Sequence, residues 1–353
     1  MGFDKELLDK YAPEAKCIMP MKIWKLPDNK LGMFPKICQN GDYFGELKKD
    51  GYWYQYEKTE NHVYLFSRNV SKITGILSEK IDNVPHIKQA LDCLPANTIL
   101  IGEIYYPGKT SKDVTKIMGC LPREAIRRQE KEGYIHYYVH DMIEYNGEDL
   151  REKGAFERYS RLKEVFDKYQ ITQQYEYIEL AQAWVDDLEE RTANALRDGE
   201  EGMVLKRKDY PYVPDKRPAW STIKIKKKDN IDAVYMGNCP PTHYYVGKEP
   251  ENWPYKDEEG KLITKDYYNN WPGAIRIGCY DGDNLIEIGT ISSGLSDSLK
   301  EELANNEKKW YNTVVEIECM EKNNSDHTLR HGFLKRFRDD KNPKDCQLNE
   351  IFN

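Results

Sequence analysis

Apolar and polar positions alternate with two different periods along the first two thirds of the chain. Residues 52–58 and 63–67 alternate with period two, with Glu60 and Asn61 near the turn between them, which predicts a β-hairpin. Residues 99–106 (ILIGEIYY) and 135–145 predict further strands, as do 202–206 and 222–226. Helical spacing appears between them. Over 84–94, Val84, Ile87, Leu91 and Leu94 share one face, and similar spacing marks 1–11, 113–118, 123–131, 156–169 and 180–196. Gly133 stops one of these helices, and Asp198-Gly199 another. Residues 20–45, with Pro20, Pro27 and Pro35, read as irregular.

After Asp229 the texture changes. Four β-like runs (233–237, 274–280, 285–291 and 314–320) and a single helix, 297–310, suggest a small Greek-key barrel of the OB type. A polar and aromatic insert, 238–272, interrupts it. The insert fits either a functional loop or a self-packed surface loop. The expected fold class is α+β: a mixed domain with antiparallel sheets and helices over residues 1–228, then an OB-fold β-barrel domain over 229–353. A chain of 353 residues suits two cores, since single cores rarely grow past about 250 residues.

Composition narrows the setting. Charged residues make up 32% of the chain, and no apolar run approaches the roughly 18 residues of a membrane span. The charged N-terminus has no apolar signal core, so a cytoplasmic location is expected. Eight scattered cysteines, without a CxxC pair, read as reduced thiols. The net charge of −7 argues against a nucleic-acid partner, but its distribution argues for one. Lys206, Arg207, Lys208, Lys216, Arg217, Lys224 and Lys226 to Lys228 crowd one stretch, and Lys335, Arg336, Arg338 and Lys341 another. A locally basic face can hold a phosphate backbone. Lys227 and Lys228 read instead as a solvated strand edge.

Candidate chemistry centres on Lys48 in ELKKDGYW, residues 46–53. Gly51 permits a tight turn, Asp50 adds a carboxylate, and an amine becomes a nucleophile once neighbouring cations or desolvation favour its neutral form. A lone K-x-D-G also fits an ordinary β-turn. Its company changes that. Ser67-Arg68-Asn69 follows a strand. Glu103 sits inside an apolar run, where an unpaired carboxylate is expensive. His140-Asp141 ends an aromatic strand, and Glu201 precedes an apolar one. Lys224 and Lys226 alternate with isoleucines, so both ammonium groups share a face. Phosphoryl chemistry needs such positioning and charge neutralisation. No Walker A sequence is present.

In this order, KKDG, SRN, GE, HD, EGMVLK and KIK resemble the motifs of the covalent nucleotidyltransferases, whose members are ATP-dependent DNA ligases, RNA ligases and mRNA capping enzymes. LRHGF (329–333) and RDDK (338–341) are similar to the C-terminal motif of DNA ligases. The likeness spans nearly the whole chain and is nearest to the small two-domain DNA ligases of bacteriophages and large DNA viruses. It implies an ATP-grasp-like adenylation domain followed by an OB fold. It implies that Lys48 forms lysyl–AMP, while Lys224 and Lys226 hold the α-phosphate. Glu46, Asp50, Arg68, Glu103, His140, Glu201, Arg338 and Lys341 would complete the nucleotide site. Glu103 and Glu201 would serve Mg²⁺, and Arg68 would touch ribose or a nick 5′-phosphate. Arg68, Lys206, Lys208, Tyr244, Tyr245 and Trp253 would face DNA. The insert lies where one viral member carries a latch around duplex DNA. Arg158 stands where the family often keeps an arginine.

The implied cofactors are ATP and Mg²⁺, and the implied partner is nicked duplex DNA, with RNA or a hybrid left open. A monomer is expected. The alternatives are an RNA ligase, a GTP-dependent capping enzyme, or a non-catalytic OB-fold nucleic-acid binder. Three positions depart from the pattern. Trp53 replaces the arginine of KxDGxR. His140 replaces a Phe or Tyr stacked on adenine, so that Tyr138 or Met203 would share the stacking. Ile101 replaces the acid of DGE.

Overall fold

The computed structural model describes residues 3–226, 229–247, 250–319, 321–323, 326–330 and 332–352. Lys227 and Lys228, the end of the 314–320 run at Met320, and His331 of LRHGF lie outside the described residues. The chain forms two compact units, Met1–Lys226 and Lys227–Asn353.

The first unit holds two sheets. The larger runs, in order, Leu77–Glu79, Val63–Val70, Gly51–Lys58, Thr98–Tyr105, His136–Tyr145 and Glu148–Asp149, with Ile178–Leu180 beside His136–Tyr145 in parallel. The hairpin pairs Lys58 with Val63, as its alternation predicts. One face of this sheet (Tyr54, Tyr56, Leu100, Ile104, Tyr137, Val139) packs under the helices Pro85–Ala90, Ser111–Met118 and Ala155–Tyr169, through Ile87, Val114, Leu162 and Phe166. Gly102 is glycine because a Cβ there would stand 2.6 Å from the Tyr137 ring and 2.5 Å from the Tyr138 carbonyl. The smaller sheet runs Trp24–Lys25, Thr222–Lys226, Gly202–Arg207, Tyr43–Leu47. Its rear face (Tyr43, Met203, Leu205, Ile223) packs on Leu188.

Three expectations change. Residues 20–45 are largely ordered: a 3-10 turn spans Asp28–Met33, a helix Phe34–Gln39, and a strand begins at Tyr43. Pro35 lies in the first turn of that helix, where its missing N–H leaves no bond unmade, so it starts a helix instead of breaking one. The predicted helix 180–196 shrinks to Leu188–Arg197. Leu180, Trp184 and Leu188 have helical spacing, but the N–H of Ala181 is taken by the Val139 carbonyl at 2.8 Å and that of Trp184 by Gly45 at 2.9 Å. Sheet edges outcompete the local helix there. The 84–94 helix is shorter also, ending at Ala90.

The second unit is a five-stranded antiparallel sheet ordered Asn284–Ile291, Ala274–Asp281, Asp229–Cys239, Val314–Cys319, Phe333–Arg338. Helix Asp297–Trp310, capped by the Ser296 hydroxyl, falls between two of its strands. The outer strands approach at one parallel bridge, Ser293 to Phe333; among the described residues no continuous ladder closes the sheet into a barrel. Strand Phe333–Arg338 escapes the hydrophobic pattern because of its six residues only Leu334 is buried. The described part of the insert packs on itself. Tyr245 and Trp253 stack at 3.8 Å, His243 lies 4.2 and 3.8 Å from Tyr244 and Tyr267, and Trp253 Nε1 donates to the Ile263 carbonyl.

Inside the first unit, Arg158 ties helix Ala155–Tyr169 to strand His136–Tyr145. Its Nε and Nη2 each donate to Asp141 at 2.9 Å, and both side chains are almost wholly buried. The remaining nitrogen donates to the carbonyls of Lys153 and Tyr210. Removing one partner strands a charge that cannot leave the interior. Asp141→Asn is therefore expected to lower the unfolding free energy by about 3–5 kcal/mol, read as a shift in urea midpoint.

Candidate active site

Strand register brings the predicted residues onto one surface. Glu46 and Lys224 both pair with Val204, Lys206 pairs with Phe44 and Thr222, and Gly202 with Lys226. With a period of two, Glu46, Val204, Lys206, Thr222, Lys224 and Lys226 share the front face of the smaller sheet. Lys48 continues the line, its N–H donating to the Gly202 carbonyl at 2.9 Å. Met203 points to the rear core, so it has no part in stacking on a base. The larger sheet contributes a second row, Trp53–Glu103–Tyr138. A cleft is lined by Glu46, Lys48, Lys49, Trp53, Glu103, Tyr138, His140, Asp141, Arg158 and Lys206, with Met21, Ile23 and Tyr212.

Lys48 is held, not free. Its Nζ donates to Glu201 Oε2 at 2.7 Å, and the other oxygen of Glu201 bonds to the Lys226 ammonium. Gly202 makes this possible: its φ of 141° and close approach to the Ile225 carbonyl exclude a side chain. Lys224 makes no ion pair among the described residues. Burial first, then the Lys226 and Lys48 charges, lower its proton affinity. Burial pushes the Glu103 carboxyl up to about 7, against the pull of Lys48 and with the help of the Glu201 charge.

Deeper in the cleft, Lys206 is buried at 7% exposure, contrary to its expected place on a DNA-facing surface. Its ammonium lies 2.6 Å from Glu46 Oε2, 2.8 Å from the His140 carbonyl and 3.2 Å from His140 Nδ1. His140 occupies a β-bulge: Ile101 pairs with Asp141 and Gly102 with Val139, leaving His140 unpaired between them. Bulges re-aim a side chain, and here His140 and Asp141 both reach the cleft lining.

Other predicted residues stand apart. The Asp50 carboxylate accepts from the Ser111 N–H at 3.0 Å, at the start of helix Ser111–Met118, and does not line the cleft. Arg68 is exposed outside the lining, although its charge reaches Glu103. Lys208 donates to the Gly41 carbonyl. Tyr244, Tyr245 and Trp253 lie in the self-packed insert, and Arg338 and Lys341 in the second unit, where both grip Asp232. Lys49 was missed. It lines the cleft, pairs with Glu200 at 3.2 Å and sits over the rings of Tyr105 and Tyr138. The doubled lysine of KKDG was its only sequence signal. For a metal, no cluster of three or more acidic, His or Cys side chains exists among the described residues, and both Glu201 oxygens are engaged by lysines.

A carboxyl raised from 4.5 to about 7 binds its proton more tightly in the folded chain, so stability falls as pH rises through that window. Glu103→Gln removes this dependence. The variant is expected to exceed the native protein in stability by up to about 2 kcal/mol near pH 8 and by little near pH 5, measured by urea denaturation at both values.

Comparison with known proteins bears on the family. Residues 30–226 match the family model described as ATP dependent DNA ligase domain. The DNA ligase of Sulfolobus acidocaldarius is 28% identical over 273 residues, 73% of this chain and 40% of that protein. The DNA ligase of Methanothrix thermoacetophila is 26% identical over 327 residues, 86% of this chain and 53% of that one. The chain thus spans about half, or less, of the length of these relatives. The fold is similar to the solved structure Pmar-Lig_PreS3 (TM-score 0.63, 19% identity, 94% of this chain and 71% of that one). It is similar also to a structure from a study of Lig E DNA ligases (TM-score 0.56, 13% identity, 91% of this chain and 100% of that one). With residues 30–226 of 353 matched by the family model, the chain belongs to the ATP-dependent DNA ligase domain family.

Proposed function

We propose that this chain is an ATP-dependent DNA ligase that seals 5′-phosphate/3′-hydroxyl nicks in duplex DNA through lysyl–AMP. The observation that carries the reading is the Lys48 amine in a cleft lined also by Glu103, hydrogen-bonded to a carboxylate that a second lysine holds in place. Glu201, which accepts a hydrogen bond from Lys48, would take the proton that Lys48 must lose. The freed Nζ attacks the α-phosphorus of ATP, the bond to pyrophosphate breaks, and pyrophosphate leaves. Lys224 and Lys226, on the same face as Lys48, neutralise charge that builds on the phosphate. The AMP then passes to a 5′-phosphate, restoring Lys48, and a 3′-hydroxyl displaces AMP to close the strand.

Mg²⁺ suits this site as a partner of the nucleotide more than as a resident ion. Magnesium is commonly held by one or two carboxylates together with substrate phosphates; Glu103 is the carboxylate that fits, and Glu201 would serve only after releasing Lys48 or Lys226. When bound, the ion would neutralise phosphate charge. Arg68 and the exposed lysines of the first unit are the candidates for the DNA backbone. Arg338 and Lys341 are the candidates for pyrophosphate, acting from a second domain that would close and reopen during the cycle. The protein would act as a cytoplasmic monomer.

Labelled ATP with Mg²⁺ should leave AMP on Lys48, located by intact mass and peptide mapping, and labelled GTP should not. Lys48→Ala should lose the adduct entirely; a variant that still labels elsewhere would defeat the assignment. Affinity for nicked DNA should fall steeply with salt, by a log–log slope of about 0.9 for each phosphate contacted. A flat profile would remove the basic face from the argument. Sealing assays on DNA, RNA and hybrid nicks should favour DNA.

A further inference from the structure

In the second unit a single carboxylate oxygen collects two cations. Asp232 Oδ2 accepts from Arg338 Nη1 at 2.8 Å and from the Lys341 ammonium at 2.9 Å. Asp232 lies on the central strand Asp229–Cys239, and Arg338 ends the outer strand Phe333–Arg338, with Val314–Cys319 between them. Asp340 steadies the guanidinium from its other side, accepting from Nε at 3.0 Å and from Nη2 at 2.6 Å.

Two positive groups brought to one point would repel if no anion stood between them. Convergence of charged donors on one oxygen is also what a phosphate asks of its ligands. Asp232 thus holds the pair in an arrangement a phosphate could take over. The hold is exchangeable. The side chains of Asp232, Arg338 and Lys341 keep 17, 22 and 27% exposure, against 3 and 9% for Arg158 and Asp141. An ion pair open to water contributes modestly and changes partners readily, whereas a buried one opens only at high cost. The ladder to Val314–Cys319 fixes the backbone of the outer strand, but side-chain packing adds little, since only Leu334 of its six residues is buried. Charge therefore sets the aim of Arg338 and Lys341.

We propose that Asp232 is a positioning residue for pyrophosphate departure: it keeps Arg338 and Lys341 converged on one point and yields them to the leaving group of ATP while Lys48 is adenylylated. This rests on the reading of Arg338 and Lys341 as pyrophosphate ligands. As the bond from the α-phosphorus to pyrophosphate breaks, negative charge collects on the departing oxygens. Cations already gathered need little reorganisation to meet it. The later steps expel the Lys48 amine and then AMP, not pyrophosphate, so the effect of Asp232 is confined to the first step.

Asp232→Asn keeps the size of the side chain and removes its charge, and three rates measured on the full chain test the assignment. Formation of Lys48–AMP from labelled ATP should slow at least about tenfold, since a small misplacement of a preorganised group costs that much or more. Loss of AMP from loaded protein on adding inorganic pyrophosphate, the reverse of the same step, should slow likewise. Closure of a nick that already carries AMP on its 5′-phosphate should change less than about twofold, because that step lacks the interaction. Asp232→Glu returns a carboxylate and should recover part of the first two rates. Should Asp232→Asn fail to fold, as read from its urea midpoint, Asp232→Glu carries the test, with the same split between steps at smaller amplitude. Equal slowing of labelling and closure would overturn the proposal, since a merely structural clasp predicts it. Faster labelling by Asp232→Asn would defeat it too, because the carboxylate would then be masking the cations instead of aiming them. Arg338→Ala and Lys341→Ala probe the underlying reading. If both label at the native rate, or if the native protein takes no label, the pyrophosphate role and the clasp fall together. If both label slowly while Asp232→Asn labels normally, the clasp alone falls.

Discussion

The Glu201 carboxylate, gripped by two ammonium groups, is the interaction on which the proposed chemistry depends. One oxygen receives Lys48 and the other Lys226, from a loop and a strand far apart in sequence. Three cationic side chains, Lys48, Lys224 and Lys226, share a single sheet face, and without an anion among them they would repel. Glu201 lets the face exist before any phosphate arrives. It also stands where a proton leaving Lys48 can go.

Charge balance recurs deeper in the cleft with different partners. Lys206 with Glu46, and Arg158 with Asp141, are pairs whose members would each be untenable alone at their depth. Arg158 has every nitrogen engaged and joins helix to sheet. Glu46, by contrast, keeps one oxygen unpaired. The first arrangement is that of a structural ion pair. The second leaves one buried acceptor unsatisfied at the cleft wall.

Two departures from the family pattern gain a physical context. Trp53 sits in register with Glu103, where its ring forms part of the cleft wall, and Lys49, held over two tyrosines, lines the same cleft. His140 stands at a bulge, fixed through both its ring and its carbonyl. Asp50, although part of the lysine motif, meets a helix start instead of the cleft, since a carboxylate beside exposed N–H groups is stabilised there.

Much was legible in the residues. The period-two runs around Tyr54, Leu100 and Val204 specify strands because a half-buried sheet demands alternation, and the same alternation placed Lys224 and Lys226 on one face before any fold was known. Glu103 was conspicuous because a carboxylate in an apolar run needs a reason. Local pattern fails at 180–187, where helical spacing yields to hydrogen bonds accepted by the Val139 and Gly45 carbonyls, and at strand Phe333–Arg338, where one buried leucine is too little signal. It fails also at Lys206, which in a run of cations looks like surface. Sequence by itself determined the elements, the lysine motif and the family resemblance, because these depend on neighbours along the chain. Only the tertiary structure decided which charges are paired and which oxygen is left open, because burial and partnership are set by elements that meet in space at sequence separations from 17 to more than 150 residues.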